Sequence, residues 1–354
     1  MTLQGVVVVD DVDARGDADC LAGPAALEHV ANRPIVHHVI DALRVAGVEE
    51  LVVACSTEHA QQVGDSLEQC EPPAGSHLRY VVQPAPLRLR DALTLAAPIV
   101  GAEPCIVHLA SGLVDESIAP FVDRLSNAPD LVLMVHQCPL AGERLSIATQ
   151  RMLHLAELDP ARAGLGVAGA WLFGPGALQH VHGAELRADA EVDLTSVGKR
   201  LREAGGSLDV QLVTAWGHFR GDAEDLLQLN RIALDRLETD ARRPQTDGNR
   251  IEGRVQIDPS ALVRSSVIIG PTVIGADAHI VDSYIGPYTA IGTRARVDGA
   301  EIERSIIAAG ASVMHLAGRL EGSVVGRDSR IFRDFSLPRA LRVRGGDRTE
   351  VAFF

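Results

Sequence analysis

The chain has 354 residues, 46% of them hydrophobic, and a formal net charge of −14 at pH 7. That length suggests two domains with real cores. The acidic balance excludes a nucleic-acid or anionic-membrane partner, since both need a basic footprint. The five cysteines, Cys20, Cys55, Cys70, Cys105 and Cys138, are widely spaced and form no C-x-x-C pair. That usage fits unpaired thiols in a reducing compartment, with no zinc site.

The N-terminus MTLQGVVVVDD lacks a basic segment and meets acid after four valines, so it does not read as a signal peptide. No apolar run approaches the ~18 residues needed to cross a bilayer. A soluble, cytoplasmic protein is expected.

In chain order, GVVVV at 5–9 reads as a buried strand, IVHHVIDALRVAG at 35–47 as a helix ending on glycine, and EELVVAC at 49–55 as a second buried strand. HLRYVVQ, CIVHLA and LVLMVH continue the strand pattern, with a helical or looped APIVGAE segment among them. Strands alternating with helices imply an α/β domain whose largely parallel sheet is wrapped on both faces. AEDLLQLNRIALDRLE at 223–238 is an amphipathic helix that closes this domain, placed at 1–240. Pro, Gly, Asn and Asp cluster without periodicity up to residue 254, so 241–254 reads as a linker.

Beyond it the period becomes six. Ile268, Ile274 and Ile280 are spaced by six residues, as are Ile285, Ile291 and Val297 after one step of five. Glycine follows an aliphatic residue at Ile269-Gly270, Ile274-Gly275, Ile285-Gly286, Ile291-Gly292 and Val325-Gly326. One inward aliphatic per six residues is the hexapeptide signature of a parallel β-helix, assigned to 255–335 with a tail at 336–354.

The β-helix stretch SSVIIGPTVIGADAHIVDSYIGPYTAIG, the ending GSVVGRDSRI…LPRALRVRGGDRTEVAFF, and the segments VANRPIVHHVIDALRVAGVEELVV, QPAPLRLRDAL, GAWLF, EVDLTSV and AWGHFRGDAEDLLQLNR together resemble the sugar-1-phosphate nucleotidyltransferases. The resemblance is to the long glucose-1-phosphate thymidylyltransferase-like type with a C-terminal left-handed β-helix. It covers essentially the whole chain and implies a nucleotidyltransferase-like, Rossmann-like α/β domain with a parallel or mixed sheet, followed by that β-helix.

The resemblance fails at the chemistry. The family's first loop reads G-G-x-G-T-R, and its glycines let backbone N–H groups approach a triphosphate. Here the same stretch is DDVDAR, so Arg15 falls on the arginine while Asp10, Asp11 and Asp13 occupy glycine positions. The catalytic lysine falls on Ala25, and the sugar-phosphate lysine on Leu158. Lys199, the chain's single lysine, lies in a different motif. The metal aspartate of L-G-D-N falls on Ser111 and that of W-W-K-D-T-G on Phe219. Mg²⁺ needs hard oxygen ligands, so the family's cofactor is expected to be lost and no other cofactor is implied. In the base-binding segment Gln83 matches, whereas a glycine has become Arg88, with Arg90 and Asp91 as further departures. Glu191 and Asp193 match a sugar-contacting motif whose last aspartate has become Ser196.

The leading expectation is therefore a non-catalytic relative kept for binding or assembly. It would form a homo-oligomer through the β-helix and take a protein partner or a small sugar-like ligand. A second is an enzyme of different chemistry in the same cleft, with Arg15, Asp91, His108 and His218 converging in one pocket. A third is a divergent but active nucleotidyltransferase. The scaffold reading expects a cleft filled by Phe219, Arg88 and Leu158. Two further motifs are weaker. Asp11 and Asp13 with Gly16 begin like a calcium loop, but Arg15 and Ala22 hold ligand positions. His279 and His315 sit within the β-helix, a setting shared with some acyltransferases.

Overall fold

The computed structural model describes residues 2–9, 24–68, 77–84, 89–125, 130–137, 165–181, 201–238 and 248–335. The valine-rich runs form a seven-stranded sheet because β-branched side chains suit a pleated surface buried on both faces. Its strands are β1 (Gln4–Val8), β4 (Glu50–Ser56), β5 (His77–Gln83), β6 (Cys105–Leu109), β8 (Leu131–Gln137), β9 (Leu165–Phe173) and β10 (Leu208–Leu212). Two short ladders, β2 (His29–Val30) with β3 (Arg33–Pro34) and β7 (Gly112–Val114) with β11 (Trp216–His218), lie beside it.

The sheet order is β10-β8-β9-β6-β1-β4-β5. The sheet is mixed, as the resemblance implied it could be: β9 runs antiparallel to both β6 and β8. Alternation sorts the side chains into two cores. Val7 and Val9 join one with α1 (Ile35–Val45), α2 (Ala60–Glu68), α4 (Ala119–Leu125) and α5 (Ala223–Asp235). Val6 and Val8 join the other with α3 (Leu89–Val100).

Fifteen short strands from Arg250 to Phe332 form three parallel five-stranded sheets, the flat faces of a left-handed β-helix. Successive coils pair at a 17-residue offset, as in Val255 with Thr272 and Thr272 with Thr289. This is the two sixes and one five of the aliphatic spacing. All six residues of that spacing are interior, Ile274 at 1% exposed and the other five at 0%. The β-helix begins earlier than the sequence suggested. Residues 250–252 already pair with 267–269, inside the stretch read as a linker. Arg-Ile-Glu carries one aliphatic between two charges and no following Ile-Gly pair, so the repeat signal is weak there. Asn249 staples this first coil, donating to the Val263 carbonyl and accepting from Ser266 N–H.

The two domains share a core. Val273, Ala290 and Ile306, on the outside of one β-helix face, belong to the same apolar cluster as α1 and α5. A polar joint crosses the seam. Between β2 and β3, Ala31 and Asn32 both have positive φ, 46° and 63°, the backbone of a type I′ hairpin turn. Asparagine tolerates that region; alanine pays roughly 1 kcal/mol. Asn230 of α5, 1% exposed, accepts from the Ala31 N–H at 2.8 Å and donates to the Tyr288 carbonyl at 3.0 Å. Asn32 donates to the Ile291 carbonyl at 2.7 Å, and the Tyr288 hydroxyl donates to Asp235 at 3.0 Å.

Truncating the buried amide should leave two backbone groups without partners. Asn230→Ala is expected to lower the free energy of unfolding by roughly 2–4 kcal/mol, read by urea titration with circular dichroism. A loss under about 0.5 kcal/mol would show that the seam is held by apolar packing alone.

Candidate functional site

Three of the residues that the resemblance places near the family's cleft, His108, Ser111 and His218, lie where β6 ends and the β7–β11 ladder begins. β11 pairs antiparallel with β7, Trp216 opposite Val114, Gly217 opposite Leu113 and His218 opposite Gly112. The Phe219 N–H continues the ladder, donating to the Ser111 carbonyl at 2.9 Å. Because successive side chains on a strand point to opposite faces, Trp216 and His218 share a side and Gly217 faces away from it.

Ser111 Oγ and His218 Nε2 are hydrogen-bonded at 2.8 Å. The Trp216 ring lies 6.0 Å from that of His218 and 5.7 Å from that of His108, a column of three rings beside the serine. The indole fits only because two neighbours are glycines. A Cβ on Gly112 would meet it at 2.3 Å and one on Gly169 at 2.5 Å.

His108 is 1% exposed, and its Nδ1–H donates to the Leu109 carbonyl at 2.7 Å. Burial lowers its pKa to about 4, with the nearby Arg236 guanidinium acting in the same direction. The ring is thus neutral near pH 7, with Nε2 unprotonated, and is not a general acid there. The Arg220 guanidinium is committed to Asp225, a buried carboxylate that it meets at 2.9 Å and that also accepts the Arg220 backbone N–H at 3.0 Å.

Phe219 corrects one expectation. It is 2% exposed and belongs to the core cluster with Leu226, Leu229 and Ile232, so it occupies the core and not base or sugar space. The side chain that faces Ser111 is His218, one residue earlier. The motif count placed a residue number; the pleat decides which way it points.

The other candidates are scattered. Ala25 opens a single 3-10 turn, Ala25–Leu27, packed against the core. Gln83 ends β5, half-buried, and its carbonyl accepts from the Thr57 N–H at 2.9 Å. Asp91 sits in the first turn of α3, where a carboxylate complements the helix N-terminus. That helix packs on the face of the sheet opposite α1 and α5. Of the described residues expected to converge, His108 and His218 are brought near one another, bridged by Trp216. Arg15, Arg88, Leu158, Glu191 and Asp193 lie outside the described residues, as do the acidic loop at 10–19 and Lys199. Trp216 and Ser111 carry the geometry of the site, and only Ser111 was singled out by the sequence.

The two positions that the resemblance assigns to metal ligands do not fit a Mg²⁺ ion: Ser111 is a hydroxyl engaged by an imidazole and Phe219 is in the core, and Mg²⁺ is held by hard oxygen ligands, preferably carboxylates. Among the described residues no group of three or more His, Cys, Asp or Glu side chains is arranged to hold a metal, and no helix is long and apolar enough to cross a membrane.

The burial of His108 has a measurable consequence. Its folded pKa, about 4, is below the value of 6.5 it would otherwise have, so the unfolded chain binds the extra proton between those values. Stability should rise with pH across that window and be lost as pH falls through it, by up to about 3 kcal/mol from this group. Urea midpoints between pH 4.5 and 7 should show a shallower slope in His108→Phe than in the wild type; equal slopes would contradict the assignment.

No protein-family model matches the chain. Curated relatives cover it almost fully. A glucose-1-phosphate thymidylyltransferase of Streptomyces antibioticus is 27% identical over 332 residues, covering 91% of each chain. That of Streptomyces griseus is 28% identical over 341 residues, covering 90% of this chain and 91% of the relative. A nucleotidyltransferase of low-salt glycan biosynthesis in Haloferax volcanii is 24% identical over 361 residues, covering 99% of both. Among solved structures, a Bacillus anthracis protein crystallised with sucrose and provisionally named a glucose-1-phosphate thymidylyltransferase superposes with a TM-score of 0.53. It is 16% identical and covers 68% of this chain and 98% of its own, a likeness of fold.

Proposed function

We propose that this chain, which fits the sugar-1-phosphate nucleotidyltransferase family in sequence and in fold, no longer transfers nucleotides and is kept for binding or assembly. The observation that carries the reading is the fate of the two metal positions: Ser111 is bonded to His218, and Phe219 is core. Nucleotidyl transfer depends on cations that neutralise phosphate charge in the transition state, and each missing clamp costs orders of magnitude. Two lysines and two aspartates of that apparatus are replaced together, by Ala25, Leu158, Ser111 and Phe219.

What remains is matched in sequence: Gln83 falls on the family's base-pairing glutamine, and Glu191 and Asp193 on its sugar-contacting motif. A neutral, sugar-like ligand is the small molecule this cleft would accept, and self-assembly through the β-helix is the alternative use of the fold.

The test is pyrophosphate release from nucleoside triphosphates with hexose-1-phosphates in Mg²⁺. None is expected; turnover near ~1 s⁻¹ or above would overturn the reading. A stability measurement complements it. Phe219→Ala should cost roughly 3–5 kcal/mol, as truncation of a core phenylalanine does, and leave nucleotide affinity unchanged. A negligible cost would return Phe219 to the cleft.

One observation favours the second reading, an enzyme of different chemistry. A serine hydroxyl on an imidazole nitrogen is a nucleophile–base arrangement. Ser111 is only 3% exposed, which withholds it from a substrate. A fluorophosphonate probe should therefore leave Ser111 unmodified; labelling there, abolished in His218→Ala, would establish the enzyme.

A further inference from the structure

The β-helix departs from its repeat at one corner. Where the chain turns from strand 262–264 to 267–269, from 279–281 to 284–285 and from 296–298 to 301–303, the corner takes two residues. Where it turns from 312–314 to 320–321 it takes five, 315–319. The extra length stands beside a recess of about 510 Å³ lined in part by Asp282, Tyr284, Glu301, Leu316 and Arg319, the size of a binding cavity.

The recess already holds one guanidinium. Arg319 lies over the Tyr284 ring, 5.1 Å from its centroid, and pairs with Glu301 at 3.3 Å and Glu303 at 3.0 Å. An aromatic face beneath and carboxylates at the edge are what a planar, forked cation is suited to. One guanidinium does not balance the charge. Glu301 and Glu303 share Arg319, and Asp282, exposed on an adjoining corner, has no basic partner among the described residues. Three carboxylates against one arginine leave the recess and its rim with a net negative charge.

The described residues end beside this recess. Phe335, the last of them, has its ring 6.0 Å from that of His315, the first residue of the long corner. His315 in turn covers Gly299, which lines the recess: a Cβ on Gly299 would meet its Nδ1 at 2.6 Å. Phe335 is 66% exposed and Phe332 51%, aromatic surface that a covering segment would remove from water. Residues 336–354 carry Arg339, Arg342, Arg344 and Arg348 against Asp347 and Glu350, a basic stretch in a chain of net charge −14. Leu341 and Val343 alternate with the arginines at 342 and 344. From Phe335 to Arg339 the chain spans at most ~14 Å, enough to bring that guanidinium to the recess.

We propose that the recess is the docking site of the chain's own segment 336–354, whose first arginines pair with Asp282 and Glu301. The site has the charge, the aromatic face and the depth for a second guanidinium beside Arg319. The segment supplies the arginines, and its alternating Leu341 and Val343 supply the apolar contact that charge alone would not. The short connection through Phe335 makes the binding intramolecular, at an effective concentration in the millimolar range, so modest ion pairs suffice. The contact is at the surface, and salt weakens it. This goes beyond the loss of transfer activity and does not depend on it.

The experiment is limited proteolysis of the full chain with trypsin, which cuts after arginine, following fragments of 336–354 by mass spectrometry. A synthetic 336–354 peptide gives the unprotected rate. Cleavage after Arg339 and Arg342 should be about tenfold slower in the protein than in the peptide, because a docked site is cut only when it opens. Protection should be the same at every protein concentration and should fade as salt is raised. Asp282→Asn with Glu301→Gln should bring the rate close to that of the peptide while circular dichroism and the thermal midpoint stay as in the wild type. Arg339→Gln with Arg342→Gln, which leaves the recess itself intact, should likewise speed cleavage after Arg344 and Arg348. A wild-type rate equal to that of the peptide, or protection indifferent to both double variants, would overturn the inference. So would protection that grows with protein concentration, which would place the segment on another copy.

Discussion

The register of one three-residue ladder decides what this cleft can do. Once His218 pairs opposite Gly112 and the Phe219 N–H reaches the Ser111 carbonyl, alternation fixes the rest. Trp216 and His218 stand on the serine side, and Phe219 goes to the core. The glycines at 112 and 169 follow from the same constraint, because the indole occupies the volume that any side chain there would need. A carboxylate in place of Phe219 would have to be buried uncompensated, at a cost of several kcal/mol.

Helix α5 connects that ladder to the rest of the molecule. Its N-cap Asp222 accepts from the Glu224 N–H, and its Asp225 holds the turn after Phe219 through Arg220. Leu226, Leu229 and Ile232 belong to the same buried apolar cluster as Phe219. Two turns on, Asn230 and Asp235 grip the β-helix through Tyr288. One amphipathic helix thus sets both the position of the cleft residues and the attitude of the second domain, so the β-helix is continuous with the α/β core.

Much of the fold was legible because its signals are periodic. Six aliphatics at steps of six and five became six interior residues of the prism, and the valine runs became the central strands. What stayed hidden depends on partners distant in sequence. β9 reads LGVAGAWLF, and nothing in those residues says that it runs against its neighbours. Arg-Ile-Glu at 250–252 is too charged to look like a repeat until its pairing with 267–269 is seen. At the site, the family resemblance implied altered metal positions at Ser111 and, by counting along a second motif, at Phe219. The pleat turns His218, not Phe219, toward Ser111. The role of Trp216 was invisible because it rests on absent side chains at Gly112 and Gly169.

The central claim is that the metal-dependent apparatus is gone and has not been rebuilt from other groups. Mn²⁺, a paramagnetic stand-in for Mg²⁺, reports this directly through the relaxation of water protons. In the presence of a nucleoside triphosphate, the account predicts that adding the protein leaves the relaxation rate at the value of the Mn²⁺–nucleotide complex alone. A saturable enhancement with protein concentration, abolished in Ser111→Ala, would reveal a ternary complex at the old metal position and contradict the account.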